Sequence, residues 1–246
     1  MYDKLKKKFG QNFLIDKNIL NKIIKLIKKK DLRILEIGPG NGHLTDYIID
    51  KKPSKLTLVE IDRDLISLLE NKYKNFNFLE ILNSDFLKID IKNEYDLIIS
   101  NLPYNISSQV LAKFCTIKQK PEEMILMFQK EFANKIIEKK LNSLNSLVNC
   151  FYQINFEFLV SRNSFRPIPK VDSAVLSFQR IKKPLISDKQ VQNFILFKRN
   201  IFSHKRKKIK SSIVLNEKIL NLNYLDKRPE DLSIDKLLEL FFLSNL

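Results

Sequence analysis

Metal and disulfide chemistry have little raw material in this sequence. It holds two cysteines, Cys115 and Cys150, and two histidines, His43 and His204. Two cysteines build no disulfide framework, and the CxxC spacing of redox and metal sites is absent. Both lie in apolar surroundings and read as buried free thiols. No ligand spacing joins the histidines to each other or to a cysteine, so no metal site is expected. Long apolar runs are missing too, since none approaches the roughly 20 residues that cross a bilayer. The opening Met1-Tyr2-Asp3-Lys4 leads into charge, not into a signal-peptide apolar stretch. A soluble, cytoplasmic chain with no membrane partner is the expectation. Glycine is scarce as well. The four are Gly10, Gly38, Gly40 and Gly42, and the last three fall within five residues.

What is plentiful is lysine. The 246 residues carry a formal charge of +16, which suits a polyanionic partner. Lysine, asparagine and isoleucine are abundant throughout, however, and an A+T-rich genome produces that composition without functional demand. The informative part is where charge concentrates: Lys4-Leu5-Lys6-Lys7-Lys8 and His204-Lys205-Arg206-Lys207-Lys208. The hydrophobic fraction of 44% is ordinary for a globular protein.

Asp16 is placed to cap a helix whose apolar residues Ile19, Leu20, Ile23, Ile24 and Ile27 recur with a 3.6-residue period. Residues 33–37 then read as a buried strand, followed by the glycine cluster and a helix over 44–49. Strands at 56–60, 76–82, 95–100 and 123–129 alternate with helices at 62–69, 107–114 and 131–138. That alternation predicts an α/β fold with a doubly wound, mostly parallel sheet. Strands at 156–161 and 173–180, joined without a helix, predict an antiparallel hairpin at its end. From Ser187 onward only helical periodicity remains. A boundary near Pro184 gives domains of residues 1–183 and 184–246, the second small and all-helical.

Glu36-Ile37-Gly38-Pro39-Gly40-Asn41-Gly42 lets the backbone turn sharply and pass close to a ligand. A dinucleotide fingerprint would have glycine where His43 or Thr45 stands, which disfavours a nicotinamide enzyme. The G-x-G-x-G order resembles the cofactor loop of class I methyltransferases. Glu60 ends the next strand about 20 residues on, where an acid accepts from both ribose hydroxyls; a helix-capping acid beside Asp62 is the other reading. Asp85 follows the third strand and is either a turn residue or an acceptor for an adenine amine, with Phe86 as apolar neighbour.

Asn101-Leu102-Pro103-Tyr104 follows the fourth strand. As a plain tight turn it needs no function. As a site it suits an exocyclic amine, a poor nucleophile because its lone pair is delocalised into the ring. Two acceptors, the Asn101 side-chain oxygen and the Leu102 carbonyl, localise that lone pair. Pro103 fixes the backbone and offers no N–H, and Tyr104 supplies a ring for the base to stack on, worth about 1–3 kcal/mol.

With these stretches, Phe9-Gly10-Gln11-Asn12-Phe13-Leu14, Gln129-Lys130-Glu131 and Phe165-Arg166-Pro167-Ile168-Pro169-Lys170-Val171-Asp172-Ser173-Ala174-Val175, the sequence resembles the KsgA family of small-subunit ribosomal RNA adenine dimethyltransferases. The resemblance implies a class I, Rossmann-like methyltransferase fold with S-adenosylmethionine as cofactor. Asn12, Leu14, Gly38, Glu60, Asp85 and Asn101 would contact that cofactor. Asn101, Leu102, Pro103 and Tyr104 would be catalytic, with Tyr104 and Phe165 on the two faces of the base; without the family, Phe165 reads as core. The implied reaction is N6,N6-dimethylation of adjacent adenines in small-subunit rRNA during ribosome biogenesis. The partner would be that RNA or an immature small subunit, met by a monomer. Erm enzymes, which methylate large-subunit RNA, are a close alternative, as is an assembly factor with incidental catalysis. Leu102, Pro39 and a tail similar to the family's basic helix, residues 204–213, favour the KsgA side. One stretch, residues 138–146, departs from the family pattern by lacking both glycine and proline.

Overall fold

The computed structural model describes residues 12–91, 95–204 and 206–244. The arm at residues 4–8 and the Phe9-Gly10-Gln11 stretch lie outside them.

In chain order the elements are β1 (Phe13–Leu14), α1 (Lys17–Lys25), β2 (Arg33–Ile37), α2 (His43–Ile49), β3 (Lys55–Glu60), α3 (Arg63–Tyr73), β4 (Leu79–Asn83), β5 (Leu97–Asn101), α4 (Ser107–Thr116), β6 (Glu123–Gln129), α5 (Lys130–Ile137), α6 (Asn145–Val148), β7 (Tyr152–Val160), β8 (Phe165–Arg166), β9 (Ser173–Arg180), α7 (Val191–Ser203), α8 (Glu217–Leu220) and α9 (Ile234–Leu243). Seven strands form one sheet in the order β4-β3-β2-β5-β6-β9-β7. The β4-β3-β2-β5-β6 part is parallel, and β9 runs antiparallel to β6. Central strands such as Leu97-Ile98-Ile99-Ser100 and Met124-Ile125-Leu126-Met127-Phe128 are buried along their length, because helices cover both faces of a doubly wound sheet. A second, two-stranded ribbon pairs β1 with β8, Leu14 opposite Phe165.

The chain divides into two compact units, residues 1–133 with 154–180, and residues 134–153 with 181–246. The first holds the sheet. From β2 the chain winds to β3 and β4 on one side, then returns to β5 on the other. The carboxyl ends of β2 and β5 therefore part company at a topological switch point, where open α/β sheets bind ligands. Asp16 caps α1, accepting from Asn18 N at 2.9 Å and Ile19 N at 3.3 Å.

The second unit has an aromatic centre. Phe194 and Phe197 of α7 meet Phe241 of α9 with ring centroids 5.1 and 5.5 Å apart. Residues 138–146 turn here on two asparagines. Asn142 Oδ1 accepts from Leu144 N and Asn145 N, while Asn145 Nδ2 donates to the Lys140 and Lys135 carbonyls. Local side-chain bonds to the backbone thus supply a turn without glycine or proline. Lys198 pins it further, its Nζ 2.6 Å from the Ser143 carbonyl.

The basic run differs from the helix suggested by its sequence. Helix α7 stops at Ser203, and His204 adopts φ −114° and ψ 63°, outside the helical region. Lys208 and Lys210 instead converge on Asp226, each at 2.8 Å. That pairing draws the Asp226 carboxyl down to about 2.

Strand boundaries shift by three or more residues at two places. Phe76 and Phe78 precede β4 and meet edge to face, 5.7 Å apart. Strand β7 starts at Tyr152, four residues before the expected start at Phe156.

Candidate active site

The glycine cluster leaves β2 with three left-handed residues: Gly38 at φ +64°, Gly40 at +62° and Gly42 at +82°. The reason for glycine differs between them. A Cβ on Gly40 would stand 2.7 Å from a ring carbon of Phe13, and one on Gly42 would fall on the Tyr73 hydroxyl. These two are closed off by the protein itself. A Cβ on Gly38 would meet only Pro103, at 3.7 Å, an ordinary contact. The space it would enter belongs to a cavity of about 290 Å³, so there glycine keeps a cradle open.

Glu60 closes β3 beside that cradle. It is 6% exposed, and its carboxylate accepts from Gly40 N at 3.2 Å, Ile61 N at 2.8 Å and Asp62 N at 2.9 Å. Burial raises its pKa, and the three backbone donors oppose the rise. The cap of α3 is Asp62 rather than Glu60, accepting from Asp64 N. Asp85 holds its own turn through Leu87 N, at 2.9 Å. The turn is braced from α4: Lys113 Nζ donates to the carbonyls of Phe86, Leu87 and Ile89.

At the end of β5, Asn101 Nδ2 donates to the Asn12 carbonyl at 2.9 Å. This fixes the amide the right way round, with Oδ1 as its acceptor side. The Pro103 carbonyl takes Ile106 N and Ser107 Oγ, both at 3.2 Å, in the turn that leads into α4 at Ser107. The Tyr104 hydroxyl pairs with Ser173 Oγ at 2.9 Å. Burial raises the Tyr104 pKa, so the ring is neutral at physiological pH.

Asn12, Leu14, Gly38, Glu60, Asp85, Asn101, Leu102, Pro103 and Tyr104 all line the one cavity. They come from five separate chain segments. Phe165 is placed elsewhere: it is fully buried within the core cluster, opposite Leu14 in the ribbon. Residues 138–146 do not line the cavity. What the lining offers is an amide oxygen, a neutral aromatic ring and a buried acid at the edge of a glycine cradle.

A family profile described as "Ribosomal RNA adenine dimethylase" matches residues 2–241. The chain belongs to the ribosomal RNA adenine dimethylase family. It is 40% identical to the "Ribosomal RNA small subunit methyltransferase A" of Mycoplasma capricolum, over 98% of this chain and 97% of that protein. The solved dimethyladenosine transferase from Plasmodium falciparum superposes with a TM-score of 0.82 at 26% identity, covering 95% of this chain and 97% of the other. The 23S rRNA methyltransferase ErmE shares the fold, with a TM-score of 0.75 at 24% identity over 95% of this chain and all of that one. The doubly wound α/β sheet expected from the strand–helix alternation and the class I methyltransferase architecture implied by the family resemblance are therefore present.

Within this rRNA adenine dimethylase, sequence reasoning missed several supports of the site. Glu36 lines the cavity from inside β2, is 2% exposed and accepts from Thr45 Oγ1 at 2.7 Å. Burial, offset in part by that bond, pushes its carboxyl up to about 8. His43 Nδ1 lies 2.8 Å from the Leu14 carbonyl and holds β1 against the site. Ser173 and Lys113 were also unseen. A glutamate inside a buried strand was the one available signal; the others depend on distant chain segments meeting. Among the described residues no helix is long and apolar enough to cross a membrane.

Proposed function

We propose that this chain uses S-adenosylmethionine to dimethylate the N6 amino groups of adjacent adenines in small-subunit rRNA during ribosome biogenesis in the cytoplasm. The observation that carries the reading is the orientation of Asn101. Its amide nitrogen is committed to the Asn12 carbonyl, so an acceptor remains for the adenine amine at the cavity that Glu60 and Gly38 also line. The similarity to small-subunit rRNA methyltransferases supports the choice of RNA.

The residues fit the cofactor. Gly38 leaves room where a side chain would intrude, and Glu60 has carboxylate lone pairs beyond its three backbone bonds for ribose hydroxyls. Asp85 is assigned the cofactor's adenine amine, and Asn12, Leu14 and Asn101 the remaining wall. When bound, S-adenosylmethionine supplies an electrophilic methyl group. In the first transfer Asn101 Oδ1 and the Leu102 carbonyl would accept from the two N–H bonds of the target amine and turn its lone pair outward; in the second, one N–H remains to be held, and each transfer releases a proton to solvent. Pro103 holds the carbonyl, and Tyr104 takes one face of the base, offsetting the few kcal/mol of unstacking it. Such positioning supplies much of the rate of a displacement that needs no strong base. Phe165 enters as the ring for the other face, which requires it to swing out of the core. In this reading residues 1–183 form the methyltransferase domain and 184–246 a helical domain that, with the basic arm, engages RNA phosphates; the chain works as a monomer.

The test is incubation with labelled S-adenosylmethionine and immature small subunits, followed by nucleoside analysis. Dimethyladenine in small-subunit RNA is expected. Cofactor binding without dimethyladenine would leave only an assembly factor, and label confined to large-subunit RNA would favour the Erm-type activity.

A further inference from the structure

The geometry points to Ser173 as a positioning residue that sets the tilt of the Tyr104 ring, a role that rests on the proposed stacking of the target base on that ring. Tyr104 hangs from a loop after β5, anchored at its backbone end. A ring held only there is free to change its inclination about the side-chain torsions. Here the far end is held too, by the 2.9 Å pair between the phenol and Ser173 Oγ. The anchor is rigid. Ser173 is fully buried and opens β9, in register with Gln129 at the end of β6. The next residue back, Asp172, receives Lys130 N through its carbonyl at 2.9 Å. Strand β6 also pairs with β5, Asn101 opposite Met127. The acceptor at Asn101 and the anchor of the ring are thus fixed to one rigid strand, and the spacing between amine and ring face is set by sheet geometry. Either hydroxyl can donate, so the pair forms whichever way the protons lie.

Removing the hydroxyl leaves the partly buried phenol without this partner and the ring loose. Ser173→Ala is expected to lower kcat about tenfold, the scale of one neutral hydrogen bond, with KM for S-adenosylmethionine unchanged. Tyr104→Phe, which removes the same bond from the other side, should behave alike. The double variant should be no slower than the slower single one, because both changes delete one interaction. Wild-type kcat in Ser173→Ala, an equal rise in cofactor KM, or multiplying losses would each overturn the assignment. An activity-independent measurement separates this from the function itself. In protein with 13C-labelled tyrosine, the Tyr104 ring signals, identified by their loss in Tyr104→Phe, should shift and sharpen in Ser173→Ala. Unchanged ring signals would overturn the tether even if the wild-type protein proved to have another substrate, whereas a wild-type protein that makes no dimethyladenine, with the shift nevertheless present in Ser173→Ala, would refute the functional reading alone.

Discussion

An asparagine amide presents an oxygen and a nitrogen of nearly equal size, and which one faces a substrate is decided by the neighbour on the other side. For Asn101 that neighbour is a main-chain carbonyl, which accepts and cannot donate. Asn101→Ala is expected to lower turnover by a factor on the order of 10²–10³, as for loss of a preorganised polar group at a reacting centre, while the cofactor dissociation constant moves much less. Asn101→Asp should be nearly as slow, since it sets a carboxylate oxygen against the Asn12 carbonyl. Turnover near wild type in either variant would remove the acceptor role; single-turnover assays and calorimetry read the two quantities. Glu36 makes a second prediction at this scale. Its folded-state pKa, about 8, lies above its unfolded value near 4.3. The folded state therefore holds a proton that the unfolded state gives up, and stability falls as pH rises through that interval. In Glu36→Gln that decline should vanish, leaving the ligand-free protein more stable than wild type at pH 8, by a margin on the order of a few kcal/mol. Denaturant titrations at several pH values would show parallel curves if Glu36 is not the cause.

The elements that carry the site differ in how visible they are in the sequence. The glycine loop announces itself because Gly40 and Gly42 have no room for a side chain, and Gly40→Ala tests this directly. It should destabilise the protein by about 1–3 kcal/mol, through a non-glycine left-handed residue and the clash with Phe13, and weaken cofactor binding. Adding Phe13→Ala should recover the steric part and leave the backbone part. No recovery in melting temperature would mean the clash is absorbed elsewhere. The long central strands were legible for a similar reason: burial on both faces demands unbroken apolar runs. The β1–β8 ribbon was not legible. Two-residue strands carry no periodicity, and their pairing joins positions about 150 residues apart. Phe165 reads as core from its residue type and as a ring for the base from the family resemblance; in the structure its ring is fully buried, opposite Leu14 in the ribbon. Phe76 and Phe78 looked like strand because aromatic residues favour pleated surfaces, yet they pack on each other just before β4.

At the scale of the whole molecule, the grouping of residues 134–153 with 181–246 rests on contacts such as Leu141 N to the Glu230 carbonyl, which no local pattern reports. Charge behaves likewise. The formal +16 overstates what the tail presents, because Asp226 occupies both Lys208 and Lys210. If this face meets rRNA, Asp226→Asn should tighten binding several-fold at low salt and steepen the dependence of log affinity on log salt by about one to two charges. An unchanged slope would place the face away from RNA. Composition itself then acquires a structural meaning. Asp31 and Lys52 adopt φ of +52° and +53° without being glycine, so this chain tolerates side chains at left-handed positions where space allows, at about 1–2 kcal/mol each. A left-handed position therefore does not require glycine wherever that cost can be borne. The glycines of the loop mark places where it cannot: two face the protein's own rings and one faces an open cavity. Among the described residues these glycines map volume that a side chain cannot enter, and only at Gly38 is that volume left open for a ligand.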